Sequence, residues 1–168
     1  AAATGFVAAG FNVAGTNYPV IKAIQDNVYK KNKGNMEDKS RVGSVYYNRG
    51  VVHGIITVEA IRKAQEKFGK GKPITGEQMR WGIENLAIDD ARLKQLGASG
   101  FMPPLKVTCA NHEGSGLVKF QQWDGKQWKV ITDWIESDQS LVRPMIEESA
   151  AKYAKEKGLT PRDCSKES

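Results

Sequence analysis

The chain has 168 residues, 40% hydrophobic and 26% charged, enough for one domain with a proper core and unlike a disordered chain. No apolar run approaches the roughly 20 residues of a membrane-spanning helix. The net charge is +6 and the isoelectric point near 9.3, but Lys30-Lys31, Lys70, Lys72, Lys152 and Lys155 are dispersed among acids. That balance reads as a generic basic surface, compatible with an anionic solute, rather than as a nucleic-acid interface.

The opening Ala1-Ala2-Ala3-Thr4 lacks Met and the charged and apolar regions of a signal peptide, so it reads as a processed or truncated terminus. The apolar run Phe6–Val13 predicts a strand buried on both faces. After the turn Gly15-Thr16-Asn17, the spacing of Val20, Ile21, Ile24 and Val28 predicts a helix from Pro19 to Tyr29, capped by Thr16 or Asn17. Lys33–Ser40 reads as an exposed loop. The stretch Tyr46-Tyr47-Asn48-Arg49-Gly50 follows, placed at the mouth of an amphipathic helix over 51–69 that Gly69 stops. Two phenols, an amide and a guanidinium there are either a binding site or a satisfied junction. A helix N-terminus beside Arg49 favours a carboxylate.

Gly69-Lys70-Gly71-Lys72-Pro73 lacks the spacing of a phosphate-binding loop. Thr75 and Gln78 form a capping box that opens a helix through Leu86. Ile88 leads into a short helix capped by Asp89 and stopped by Gly97. Phe101-Met102-Pro103-Pro104 is a crossing loop, and Leu105–Cys109 alternates like a strand. Leu117–Trp123 and Gln127–Thr132 flank Asp124-Gly125-Lys126, a hairpin signal. A three-residue loop pairs Phe120 with Val130 and Gln122 with Trp128, leaving Trp123 and Trp134 for the rim or a partner surface. The last helix, capped by Asp138 or Ser140, carries the apolar stripe Val142, Met145, Ile146, Ala150, Tyr153 and Ala154 and ends at Gly158 and Pro161.

Cys109 and Cys164 match no zinc spacing, and His53 and His112 do not complete a site, so no metal or cofactor is expected. The cysteines are either a disulfide tying the C-terminal tail to a strand or two free thiols. Asn111-His112-Glu113-Gly114-Ser115-Gly116 gathers catalytic residue types. It lies between two strands, not on the strand-to-helix elbow of a nucleophilic serine, and reads as a polar loop. The chain offers aromatics for binding (Tyr46, Tyr47, Trp81, Trp123, Trp128) and little for catalysis; an enzyme is not expected.

The order of Ala3-Thr4-Gly5-Phe6, Tyr46–Gly50, Val58–Gln65, Arg80–Leu86, Gln122–Gly125 and Lys152–Gly158 resembles the substrate-binding proteins of ABC importers. The type is that of the Leu/Ile/Val-binding protein, a type I periplasmic binding protein. Members have two α/β lobes with ligand held in the cleft between them, and this chain resembles only their later part. The resemblance implies an α/β, partial type I periplasmic-binding-protein fold, a parallel sheet flanked by helices with a C-terminal β-hairpin. Residues 1–44 would end the second lobe, 45–104 return into the first, and 105–168 supply the closing strands and C-terminal helix. It implies ligand contacts at Tyr46, Tyr47, Asn48 and Arg49, although Gly50-Val51-Val52 departs from the family's usual Tyr-Asp-Ala. The ligand would be a small carboxylate, an aromatic acid or a branched-chain amino acid. The partners would be ABC permease subunits, and the place the periplasm, reached through a signal peptide in the precursor. A ligand-sensing receptor domain of the same fold is the alternative. An unpaired edge in a half-built fold also favours a homodimer.

Overall fold

Strand β1 (Val7–Gly10) opens the chain at the edge of a small sheet. The computed structural model describes residues 3–166, so Ala1-Ala2 and the last two residues of the 105–168 segment lie outside the described residues. The strand is shorter than its apolar run and is not buried on both faces. Phe6, Val7 and Phe11 are exposed, while Asn12 and Val13 beyond its end go into the core. The reason is position: β1 has one hydrogen-bonded neighbour, so only part of its surface is covered.

Helix α1 (Pro19–Ile24) starts with Pro19 in its first turn and widens into a π-helical turn, Gln25–Tyr29. Tyr18 stands at its N-cap without a side-chain bond, and Asn17 instead accepts from Lys22 Nζ at 2.8 Å. Helix α2 (Val45–Phe68) begins six residues earlier than the apolar periodicity suggests, because Ser44 caps it by accepting from Tyr47 N–H. Tyr46–Gly50 is therefore its first turns, not a segment before it. Helix α3 (Gly76–Glu84) opens on the expected Thr75–Gln78 capping box. Strand β2 (Ala87–Ile88) leads to α4 (Asp90–Gln95), where Asp89 accepts from Arg92 N–H at 2.7 Å.

Strand β3 (Leu105–Lys106) pairs with β2. Strand β4 (Leu117–Trp123) is central: it pairs with β1, with β5 (Trp128–Val130) and with β6 (Ile135–Glu136). The mixed α/β class holds, and the parallel sheet does not: every strand pairing among the described residues is antiparallel. Of these pairs, only β4 and β5 are joined by a tight turn; β1 and β4 pair across more than 100 residues, and no β-helix-β crossover joins two neighbouring parallel strands among the described residues.

The hairpin register also differs. Gln121 opposes Val130 and Trp123 opposes Trp128, leaving a loop of four residues at 124–127. Asp124 sets this length, its carboxylate accepting from Lys126 N–H at 2.8 Å and Gln127 N–H at 2.9 Å. A slip of one residue turns one strand's side chains over relative to the other. Trp123, Trp128 and Gln121 thus share one face, and Phe120 joins Val118 on the other.

The core gathers Val13, Ile21, Val52, Leu86, Ile88, Leu93, Phe101, Met102 and Val107. Phe101 and Met102, from the proline-containing loop, plug its centre; each such burial contributes roughly 1.5–3 kcal/mol. Helices α2 and α3 approach so closely that a Cβ on Gly82 would stand 2.3 Å from the Ala60 carbonyl oxygen. Glu59, buried on α2, accepts from Arg92 at 2.7 and 2.8 Å and from Arg62 at 2.8 and 3.1 Å, tying α4 to α2.

Helix α5 (Gln139–Lys157) is capped by Asp138 and closed by Gly158 at φ 63°. Its apolar stripe is largely not buried: Val142, Met145, Ala150 and Tyr153 are exposed and only Ile146 and Ala154 are half-buried, because little of the described chain packs on that side. The following tail is fastened back by a Cys109–Cys164 disulfide and by Arg162, which grips Glu84 with two bonds of 2.6 Å. Of the two alternatives for the cysteines, the disulfide is the one observed.

Candidate functional site

A cavity of about 790 Å³ opens between the β4–β5 face, the 10–15 turn and the N-terminus of α2. Two buried amides, Asn12 and Gln121, line it, and a third, Asn48, braces the turn behind it. Asn12 Nδ2 donates to Val45 O at 3.0 Å, which anchors the 10–15 turn to the start of α2. Gln121 reaches across from β4, donating to Asn12 O at 3.3 Å and accepting from Ala14 N–H at 3.0 Å. Asn48 donates to Val13 O at 2.8 Å and Gly15 O at 3.0 Å. Gly43 closes the wall at φ 86°: its carbonyl accepts from Gly15 N–H at 2.7 Å, and a Cβ there would stand 2.5 Å from Thr16.

The helical start of α2 divides the four predicted contact residues into two pairs. Tyr46 and Arg49 line the cavity. Tyr46 is 80% exposed. Arg49 is half-buried, its guanidinium 5.0 Å from the ring centre of Phe11 and 5.7 Å from that of Tyr46. Its Nε donates to Asn12 Oδ1 at 3.4 Å, and no carboxylate among the described residues pairs with it.

Tyr47 and Asn48 turn inward instead. The Tyr47 hydroxyl meets that of Tyr29 at 3.1 Å, and burial, then this hydrogen bond, push its pKa well above the ordinary phenol value. Asn48 is fully buried and does not line the cavity, so it positions the 13–15 turn. Successive helical residues point about 100° apart, so four neighbours cannot all face one cleft.

Trp123 and Trp128 face the same cavity, 5.7 Å apart and tilted by 58°. The three-residue hairpin loop had assigned Trp123 to the rim, and the observed register brings it in. Trp81 lies elsewhere, against Phe68 and under Lys67 Nζ. Asn12 and Gln121 were missed altogether. An isolated amide between Phe11 and Val13 was the only signal for Asn12, and Gln121, next to Gln122, gave none.

In the Asn111–Gly116 loop the Ser, Glu and His side chains turn to separate partners. Ser115 Oγ donates to Pro104 O at 3.0 Å, Glu113 pairs with Arg143 at 2.7 Å, and His112 Nε2 faces Glu84 at 3.2 Å. Among the described residues no cluster of His, Cys, Asp and Glu could hold a metal ion, and no helix is long and apolar enough to cross a membrane.

Two solved structures share this architecture. One, described as an ABC transporter permease from the Pseudomonas fluorescens group, is 48% identical with a TM-score of 0.93, over 98% of this chain and 39% of that one. The other is a branched chain amino acid ABC transporter from Thermus thermophilus with bound valine, 24% identical with a TM-score of 0.61, over 82% of this chain and 35% of that one. The fold is a partial α/β fold related to that of ABC transporter proteins. The chain spans about two-fifths of the length of the solved structures it matches. No protein-family model and no curated protein matches it.

Proposed function

We propose that this chain is the later part of a solute-binding component of an ABC importer, taking a small carboxylate in the cavity at the N-terminus of α2. The observation that carries this reading is Arg49. A half-buried guanidinium flanked by two rings, with no acidic partner among the described residues, is a cation awaiting an anion. The cavity places it beside the start of a 24-residue helix, whose positive end adds to the attraction. The likeness to ABC transporter proteins, one of them with bound valine, supports the same reading.

In this reading 1–44 ends one lobe, 45–104 returns into the other and 105–168 supplies the closing strands. Closure of the lobes on the solute is then read by permease subunits. The chain acts as a periplasmic binding protein, exported by a signal peptide in its precursor, and catalyses no reaction. Self-association through Leu141, Met145 and Tyr153 belongs to the same proposal, and sedimentation velocity tests it.

Tryptophan fluorescence tests the site, because Trp123 and Trp128 lie in it. Benzoate and leucine are titrated into the chain and into Arg49→Ala. The expected result is saturable quenching by one of them that Arg49→Ala abolishes with its melting temperature unchanged. Equal responses from both proteins would remove Arg49 from the site.

A further inference from the structure

The two walls of the cavity belong to different parts of the fold. Ala9, Gln121, Trp123 and Trp128 stand on the sheet of β1, β4, β5 and β6, whereas Tyr46 and Arg49 stand on α2, which packs against α3. Two stretches of the described chain pass from one part to the other: 11–18, between β1 and α1, and 107–116, between β3 and β4. How far the walls part therefore depends on what ties the sheet to the helices.

The second passage contains the Asn111–Gly116 loop and is stiffened from within. Asn111 Oδ1 accepts from the N–H groups of Glu113 at 3.0 Å and Gly114 at 3.1 Å, and Thr108 and Asn111 exchange backbone bonds of 2.9 and 3.1 Å. Helix α5 is fastened at both ends. At its start, β6 pairs with β4 at Leu117 and Val118, and Arg143 donates to Glu113 Oε2 at 2.7 Å and to Ala110 O. Beyond its end, Cys164 is bonded to Cys109, and Arg162 holds Glu84, the last residue of α3. Glu84 is buried, and His112 of the same passage stands 3.2 Å from it.

A helix of 19 residues is a stiff rod of about 28 Å. Its near end moves with β4, the strand that carries Gln121 and Trp123 into the cavity. The tail beyond its far end is held to α3 and to the residue that opens the second passage. A rod tied to both parts resists their separation. These ties are already made within this chain, whatever a longer protein packs on the exposed face of α5.

We propose that α5 and its tail form a brace, closed by the Cys109–Cys164 disulfide and the Arg162–Glu84 pair, that limits how far the two walls of the Arg49 cavity part. The Asn111–Gly116 loop is the socket of this brace. The proposal concerns the walls and holds whatever the cavity binds, so it stands apart from the reading of Arg49 as a solute site.

Collisional quenching by acrylamide reads the opening, because Trp123 and Trp128 are half-buried in the cavity. Trp81→Phe and Trp134→Phe first remove the other tryptophans, leaving these two as the emitters. Two further changes are made in that background. Cys109→Ser/Cys164→Ser removes the covalent closure; a flexible Gly-Ser insertion after Gly158 keeps both fastenings and slackens the tail. Circular dichroism checks that each protein is folded. The expected result is a quenching constant raised about 2-fold in both, as parting walls uncover the half-buried rings. A rise in only one of them, or in neither, overturns the brace. The insertion variant decides alone if the serine pair is unfolded at the assay temperature. No solute enters the readout, so failure here leaves the Arg49 reading standing.

Discussion

Replacing Asn48 by Ala separates a structural role from a ligand-binding one. Asn48 is fully buried, and its amide makes two hydrogen bonds, to Val13 O at 2.8 Å and Gly15 O at 3.0 Å. Each such bond contributes about 1 kcal/mol net, and a buried carbonyl left without its donor costs about 1–3 kcal/mol. The amide oxygen has no partner, so its removal returns something. The balance is a destabilisation of about 2–4 kcal/mol, or a fall in melting temperature of roughly 4–16 °C for a chain of this size. Asn48→Asp keeps the volume but removes both donors and buries a charge, so it should destabilise at least as much. Calorimetric melts of the three proteins check this. An Asn48→Ala melt within about 1 °C of wild type would refute the assignment, since two buried bonds cannot vanish without trace.

Three further outcomes follow from the same coordinates. Gly82→Ala would force a methyl group against the Ala60 carbonyl and should cost about 1–3 kcal/mol, read as a lowered denaturation midpoint in urea; an unchanged midpoint would mean α3 can move away freely. Reducing Cys109–Cys164, which spans 55 residues, should cost about 4 kcal/mol by chain entropy, seen as a lower melting temperature in dithiothreitol, whereas Cys109→Ser/Cys164→Ser should melt alike with and without reductant. The Glu59 carboxylate is held below its ordinary pKa of 4.5 chiefly by the Arg92 hydrogen bonds, and that of Glu84 by Arg162. Their folded forms bind fewer protons than the unfolded chain, so this stability is present above pH 4.5 and is lost as pH falls through the depressed folded values. Glu59→Gln should therefore flatten the acid limb of a melting-temperature profile; an acid limb identical to wild type would contradict it.

Much of the fold was legible because local chemistry decides it. The Thr75–Gln78 capping box, Asp89, Asp138, Gly69 and Gly158 all act where their side chains or backbone freedom imply. The disulfide was one of two alternatives, and only proximity in the fold could choose it. The start of α2 was misjudged because apolar periodicity begins at Val51, while the cap that starts the helix is the polar Ser44. The π-helical turn after α1 left no sequence signal for which we have a physical account.

The sequence by itself determined that there is an amphipathic long helix, a hairpin near Asp124-Gly125, and an aromatic-cationic cluster near Arg49. Each of these depends on residues close together in the chain. Only the tertiary structure decided the antiparallel sheet, the division of Tyr46 and Arg49 from Tyr47 and Asn48, and the arrival of Trp123 and Trp128 in the same cavity. Those outcomes depend on how far a helix is wound and on which residue of one strand meets which of another. A shift of one residue costs little locally, yet it turns every side chain to a different face. The choice therefore falls to distant partners: Gln121 reaching Asn12 across 109 positions, and Asn48 reaching Val13 across 35.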